Sequence, residues 1–154
     1  MVVKELLARR LANQQVSSKR IDHPGQVVAW MVAMQAQDYA MARWAVGVRL
    51  PSAHRSSIQQ FVDNGEIIRT HLLRPTWHFV SARDAGWIID LTAPHIKASM
   101  KSRLKQLELT PQILSKALNV LEKALRDGEH LTREEIVTVL EKNRFSTGDQ
   151  RSAH

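Results

Sequence analysis

The sequence predicts a mainly α chain carrying one small β-hairpin. Two observations carry that class. Apolar residues recur at helical spacing along most of the 154 residues, and only between 66 and 80 does the pattern change to two short β-like runs. Residues that start and stop helices stand at several of the boundaries between these stretches. With 44% apolar residues there is enough to build a core.

Taken in order, Leu6, Leu7, Leu11 and Val16 give a first helix one face to bury, with Lys4, Arg9 and Arg10 elsewhere on it. "DHPG" at 22–25 punctuates the chain, with Pro24 near a helix start and Asp22 as its cap. "QVVAWMVAM" at 26–34 is apolar nearly all round and reads as a buried second helix. "DYAMARWAVGVRL" at 38–50 reads as a third, with Ala42, Trp44, Ala45 and Val48 inward, and "LPSAH" breaks it. A short fourth helix over 54–63 closes at Asn64 and Gly65, residues that adopt left-handed backbone readily. "EIIRTHLL" and "TWHFV", joined by Arg74-Pro75, form the hairpin. Ser81 and Asp84 then open a helix through "AGWIIDL", and a further helix with a basic face covers 93–107. Thr110 caps the next, Pro111 is at its first position, and Gly128 ends it. Thr132 and Glu135 form a capping box for the last, 131–143. Trp30, Trp44 and Trp87 are read as core residues. Three helices, a short fourth and then a hairpin is the element order of a winged helix-turn-helix.

Composition narrows the function. With no cysteine there is no disulfide or thiolate chemistry, which fits a reducing cytoplasm. No apolar run approaches the roughly 20 residues that span a bilayer, and the N-terminus lacks a signal-peptide core. The formal charge is +7, and it is uneven: residues 1–105 hold 15 Lys/Arg against 7 Asp/Glu, residues 106–154 hold 7 against 8. A basic first part suggests a polyanion partner, although many soluble proteins are simply basic. His71 and His78 lie on opposite arms of the hairpin and His23 and His54 are isolated, so no metal is expected. No GxGxxG, P-loop or Ser/His/Asp set is present, so no nucleotide cofactor is expected either.

Gln35 and Gln37 flank one alanine where the apolar pattern breaks. In a helix, residues two apart point in different directions; in an extended segment they share a side. The pair converges if the chain unwinds between helices two and three, with Ala36 facing the core. On spacing alone, two plain polar residues on an inter-helix turn is the simpler reading.

The stretches "VVAWMVAMQAQDYAMARWAVGVRL" and "IIRTHLLRPTWHFVSARDAGWII" resemble the winged-helix DNA glycosylases that unhook interstrand crosslinks, the YcaQ/AlkZ-like family. Members share a Gln-apolar-Gln or Gln-apolar-Asp motif followed by an acidic residue and an aromatic, here Gln35-Ala36-Gln37-Asp38-Tyr39. They share an Arg-Thr…Arg-Gly-Thr-x-His segment ahead of an acidic-tryptophan helix, here Arg69-Thr70…Arg74-Pro75-Thr76-Trp77-His78, then Asp84 and Trp87. Pro75 stands where the family has glycine.

The resemblance implies an N-terminal piece of a longer DNA glycosylase, cytoplasmic and nucleoid-associated, acting on alkylated or crosslinked purines in duplex DNA. It implies a winged helix over 1–92 with the wing near 66–80, linker helices over 93–128, and an incomplete second winged helix over 131–154. Gln35 and Gln37 would be catalytic. Asp38 would help electrostatically or, more simply, cap the third helix. Arg43, Arg69 and Arg74 would contact phosphates unless they are ordinary surface charges, and Thr76 and His78, on one face of the second hairpin strand, would contact DNA unless they pack locally. The competing readings are a winged-helix DNA-binding module or regulator without catalysis, and a winged helix that binds protein.

Overall fold

The computed structural model describes residues 2–18, 20–51, 55–73 and 76–148. They fall into two compact units, Met1–Lys97 and Ala98–His154. The chain is mainly helical with one small antiparallel sheet.

The first unit begins with α1 (Val2–Asn13) and α2 (Pro24–Met31). The expected apolar face of α1 is not buried: Leu6, Leu7 and Leu11 are exposed. Pro24 does open α2, but the residue before it is His23 in extended conformation, without a capping bond, rather than Asp22. The larger correction is at the other end. The helix read as far as Met34 stops at Met31, and Ala33–Gln35 form a strand, β1. Val32 makes the change of direction at φ 64, ψ −60, a positive-φ γ-turn conformation that a β-branched residue seldom takes. An apolar run fits a buried strand as well as a buried helix, and periodicity alone cannot separate them.

Asp38 caps α3 (Tyr39–Gly47): its carboxylate accepts the Met41 N–H at 3.0 Å. Helix α4 (Arg55–Asp63) follows, and Gly65 at φ 74 leads out of it. Most of the "PSAH" break, including His54, lies outside the described residues. Strands β2 (Ile67–Leu72) and β3 (Thr76–Ser81) pair antiparallel as expected, while their turn at Arg74-Pro75 lies outside the described residues. The hairpin is part of a three-stranded sheet, because β1 pairs with the free side of β3: the order is β1-β3-β2, with Met34 opposite Phe79 and Gln35 opposite His78.

Alternation along the strands gives the sheet two covered faces. On one, Phe79, Ile67 and Met34 pack with Val27, Val28, Ala42, Val46 and Ile58. On the other, Leu72 and Val80 meet Ala85 and Ile88. Burying a side chain such as Phe79 stabilises by about 2–3 kcal/mol.

Those last two residues belong to α5 (Ala82–Gln106), which is a single helix where two were expected. Pro94 lies inside it and removes the amide that would serve the Asp90 carbonyl. At its start Ser81 Oγ accepts the Asp84 N–H at 3.2 Å and donates to the Asp84 carboxylate at 2.6 Å. The tryptophans correct the reading of the core: Trp30, Trp44 and Trp87 are 56%, 53% and 51% exposed. Two of them satisfy their indole N–H at the surface, Trp30 on the Asn13 carbonyl (2.7 Å) and Trp87 on Asp84 Oδ1 (3.0 Å).

In the second unit α6 (Pro111–Ala124) is capped by Thr110. It ends four residues before Gly128; Arg126–Gly128 form a 3-10 turn in which Asp127 and Gly128 both take positive φ. Helix α7 (Arg133–Lys142) carries the full capping box of Thr132 and Glu135. Neither α6 nor α7 has a buried residue among the described ones. Residues 149–154 lie outside the described residues.

Candidate active site

The site starts from the γ-turn at Val32. Strand β1 ends at Gln35 and the chain bends at Gln37, so that Met34 and Ala36 face inward while Gln35 and Gln37 face outward. Ala36 is 0% exposed and packs in the larger core, whereas both glutamines are exposed. They line one open cleft of about 540 Å³ between β1 and α3, with Asp38, Met41, Trp44 and Arg49 among its walls. None of its lining residues comes from the hairpin.

The hairpin instead supports the glutamines from behind. The Ala36 N–H donates to the Trp77 carbonyl at 2.8 Å, which extends the β1–β3 ladder one step past Gln35. The Trp77 N–H donates to Gln37 Oε1 at 3.4 Å. A backbone N–H can only donate, so the atom facing it is the amide oxygen, and the Gln37 NH2 group points elsewhere. Arg69 Nε and Nη2 donate to the carbonyls of Ala36 (3.0 Å) and Gln37 (3.2 Å). Its guanidinium lies 4.4 Å from the Trp77 ring centre and 5.6 Å from that of Tyr39.

The other expected contacts are placed as follows. Arg43 reaches into the protein: Nη1 donates to Gln59 Oε1 at 3.0 Å, and the guanidinium lies 4.7 Å from the Tyr39 ring centre. Tyr39 Oη donates to the same Gln59 oxygen, at 2.8 Å. Arg74 lies outside the described residues. Thr76 is half-buried at the start of β3, and His78 is buried. His78 Nδ1 is 2.9 Å from the Thr76 carbonyl, so Nδ1 carries the proton and in the neutral ring Nε2 is the acceptor. As the cross-strand partner of Gln35, His78 lies on the same side of the sheet as that glutamine.

Arg49 and Met41 were not singled out by sequence reasoning, and Trp44 was read as core, yet all three wall the cleft. Arg49 Nη1 donates to the Ala45 carbonyl at 2.6 Å; its buried Nε has no partner, and burial lowers the guanidinium's pKa. Helix α3 is apolar on several sides, so the pattern could not say which side faced outward.

Fold and cleft together define a class: a mainly helical protein with a small antiparallel sheet, whose cleft offers paired carboxamides and a cation beside an apolar wall. The chain belongs to the family of AlkZ-like DNA glycosylases, whose description matches residues 28–154. It is 25% identical over 149 residues to an interstrand DNA cross-link repair glycosylase of Streptomyces sahachiroi. The solved structure of Streptomyces sahachiroi DNA glycosylase AlkZ superposes with a TM-score of 0.72 at 22% identity, covering 93% of this chain. The alignment with the crosslink-repair glycosylase covers 96% of this chain and 40% of that protein, and the structural match covers 40% of its chain.

Proposed function

We propose that this chain is the winged-helix part of a DNA glycosylase that hydrolyses the N-glycosidic bond of alkylated or crosslinked purines, with Gln35 and Gln37 as its catalytic pair. One observation carries the reading: two exposed carboxamides share a cleft, held there by a strand end and the bend after it, with Ala36 between them buried. The helix–strand–helix–helix–strand–strand order and the β1-β3-β2 sheet support the winged-helix assignment.

The chemistry suits amides. Alkylation at purine N7 or N3 makes the base cationic, so it departs readily. It takes the electron pair of the C1′–N bond and leaves neutral. A water oxygen bonds to C1′, and its surplus proton passes to solvent. What remains for the protein is to place that water and to stabilise positive charge on the sugar. A carboxamide oxygen can orient a water but does not deprotonate it at neutral pH. Gln35 Oε1 and the second lone pair of Gln37 Oε1 are the acceptors this reading assigns. Phosphate contacts from the basic residues, Arg74 among them, supply affinity without sequence preference.

The test is base release from duplex DNA carrying an N7-alkylated guanine, with Gln35→Ala and Gln37→Ala beside the wild type. Each should slow release by roughly tenfold to a thousandfold while leaving duplex affinity nearly unchanged. Tight, salt-sensitive duplex binding by a wild type that releases no base from such DNA would favour a non-catalytic DNA-binding module.

A further inference from the structure

We infer that Arg69 is a positioning residue for the glutamine pair: its guanidinium clamps the backbone of the Gln35-Ala36-Gln37 turn. The inference rests on the catalytic reading of that pair and adds to it the device that fixes its geometry.

Arg69 stands on β2, the strand farthest from β1. It is opposite Phe79 on β3, and His71 is opposite Trp77, so Arg69 and Trp77 share a face. The side chain runs across β3 over the Trp77 ring and ends on the Ala36 and Gln37 carbonyls. Consecutive carbonyls of a regular strand point to opposite sides, so one guanidinium can serve both only where the chain turns. Here the turn is the passage from β1 to the Asp38 cap of α3. Gln35 is set by the ladder with His78, and Gln37 is set by the clamp and by the Trp77 N–H. The separation between the two amides therefore depends on Arg69. Only arginine offers two N–H groups in a fixed planar fork with an apolar face for the indole; lysine offers a single point donor. A free surface cation reaching for phosphate would have no need of these bonds.

The experiment compares wild type, Arg69→Lys and Arg69→Met in the whole protein. Three quantities are read: single-turnover base release from an N7-methylguanine duplex at saturating protein, duplex affinity as a function of salt, and the side-chain amide NMR signals of Gln35 and Gln37 in the free protein. The clamp predicts release slowed by roughly tenfold to a hundredfold in both variants. It predicts affinity within about twofold, an unchanged salt slope and displaced Gln37 signals. Lysine keeps the charge, so its failure to rescue release isolates the fork. The inference is overturned if the amide signals stay in place while affinity drops, the salt slope falls by about one and release persists; Arg69 would then be a phosphate contact. If the wild type releases no base, the catalytic reading of the glutamines has failed, and the amide signals alone decide the clamp: displaced signals uphold it, unmoved signals overturn it.

Discussion

Gln37 is held at its oxygen by the Trp77 N–H, and this makes Gln37→Glu the sharper probe of the pair. A carboxylate keeps the acceptor and adds negative charge facing the oxocarbenium-like sugar. Gln37→Glu should retain or raise base release where Gln37→Ala loses it, and its rate should fall as pH drops through the carboxylate's titration. A flat pH profile would show that the charge is not used. Asp84 gives a second measurement at this scale. The Ser81 hydroxyl, then the Trp87 indole N–H, hold its carboxyl below the usual aspartate range, with a small contribution from Arg83. The charged form is therefore favoured on folding. The stability it adds is present above the unfolded value of about 3.9 and is lost as pH falls through the lower folded value. Trp87→Phe removes one donor and should raise the Asp84 midpoint in a carboxyl NMR titration; an unmoved midpoint would mean the indole bond is not made in solution. Asp38 as a cap and the inward Ala36 were legible in the sequence, because small and polar residues at a pattern break have few places to go; the spacing of the glutamines alone favoured plain turn residues. The roles of Arg43 and Arg69 were not legible, since the groups they hydrogen-bond lie 16 to 33 residues away in sequence.

Among the elements, Asp22 does not cap α2, but the caps at Asp38, Thr110 and Thr132 and the β2–β3 hairpin could be read directly, because their signals are local. Strand β1 could not, because its partner is β3 and its entry runs through a residue poorly suited to the turn. A β-branched side chain at positive φ costs on the order of 1–3 kcal/mol. Val32→Gly, which has no Cβ to strain there, should raise unfolding stability by about 1 kcal/mol. If chemical denaturation finds it neutral or worse, Val32 is not strained. The unbroken α5 was hidden by Pro94, which ordinarily marks a boundary. A proline inside a helix costs about 3 kcal/mol relative to alanine, so Pro94→Ala should stabilise by roughly 1–3 kcal/mol. Loss of stability on that change would mean the proline ring is needed for packing.

For the molecule as a whole, the charge excess over residues 1–105 predicts duplex binding that weakens by about a decade or more between roughly 50 and 200 mM salt, if several phosphates are neutralised. Binding that ignores salt would remove electrostatics from the account. The two units should also differ in how firmly they hold their amides. Val27 and Val28 are fully buried, whereas α7 has no buried residue. Hydrogen exchange at Ile136, Val139 and Leu140 should run faster than at Val27–Trp30, and equal protection in both places would contradict this.

The placement of the tryptophans has an optical consequence. The sequence has four, three of them about half exposed and Trp77 partly covered beneath Arg69. Indoles already touching water emit at long wavelength in the folded state, so unfolding has little spectral distance left to cover. The emission maximum of this protein will be a poor gauge of denaturation. Trp44 forms a wall of the cleft, and a stacked nucleobase quenches indole emission. Intrinsic fluorescence is better suited to following occupancy of that cleft than integrity of the fold.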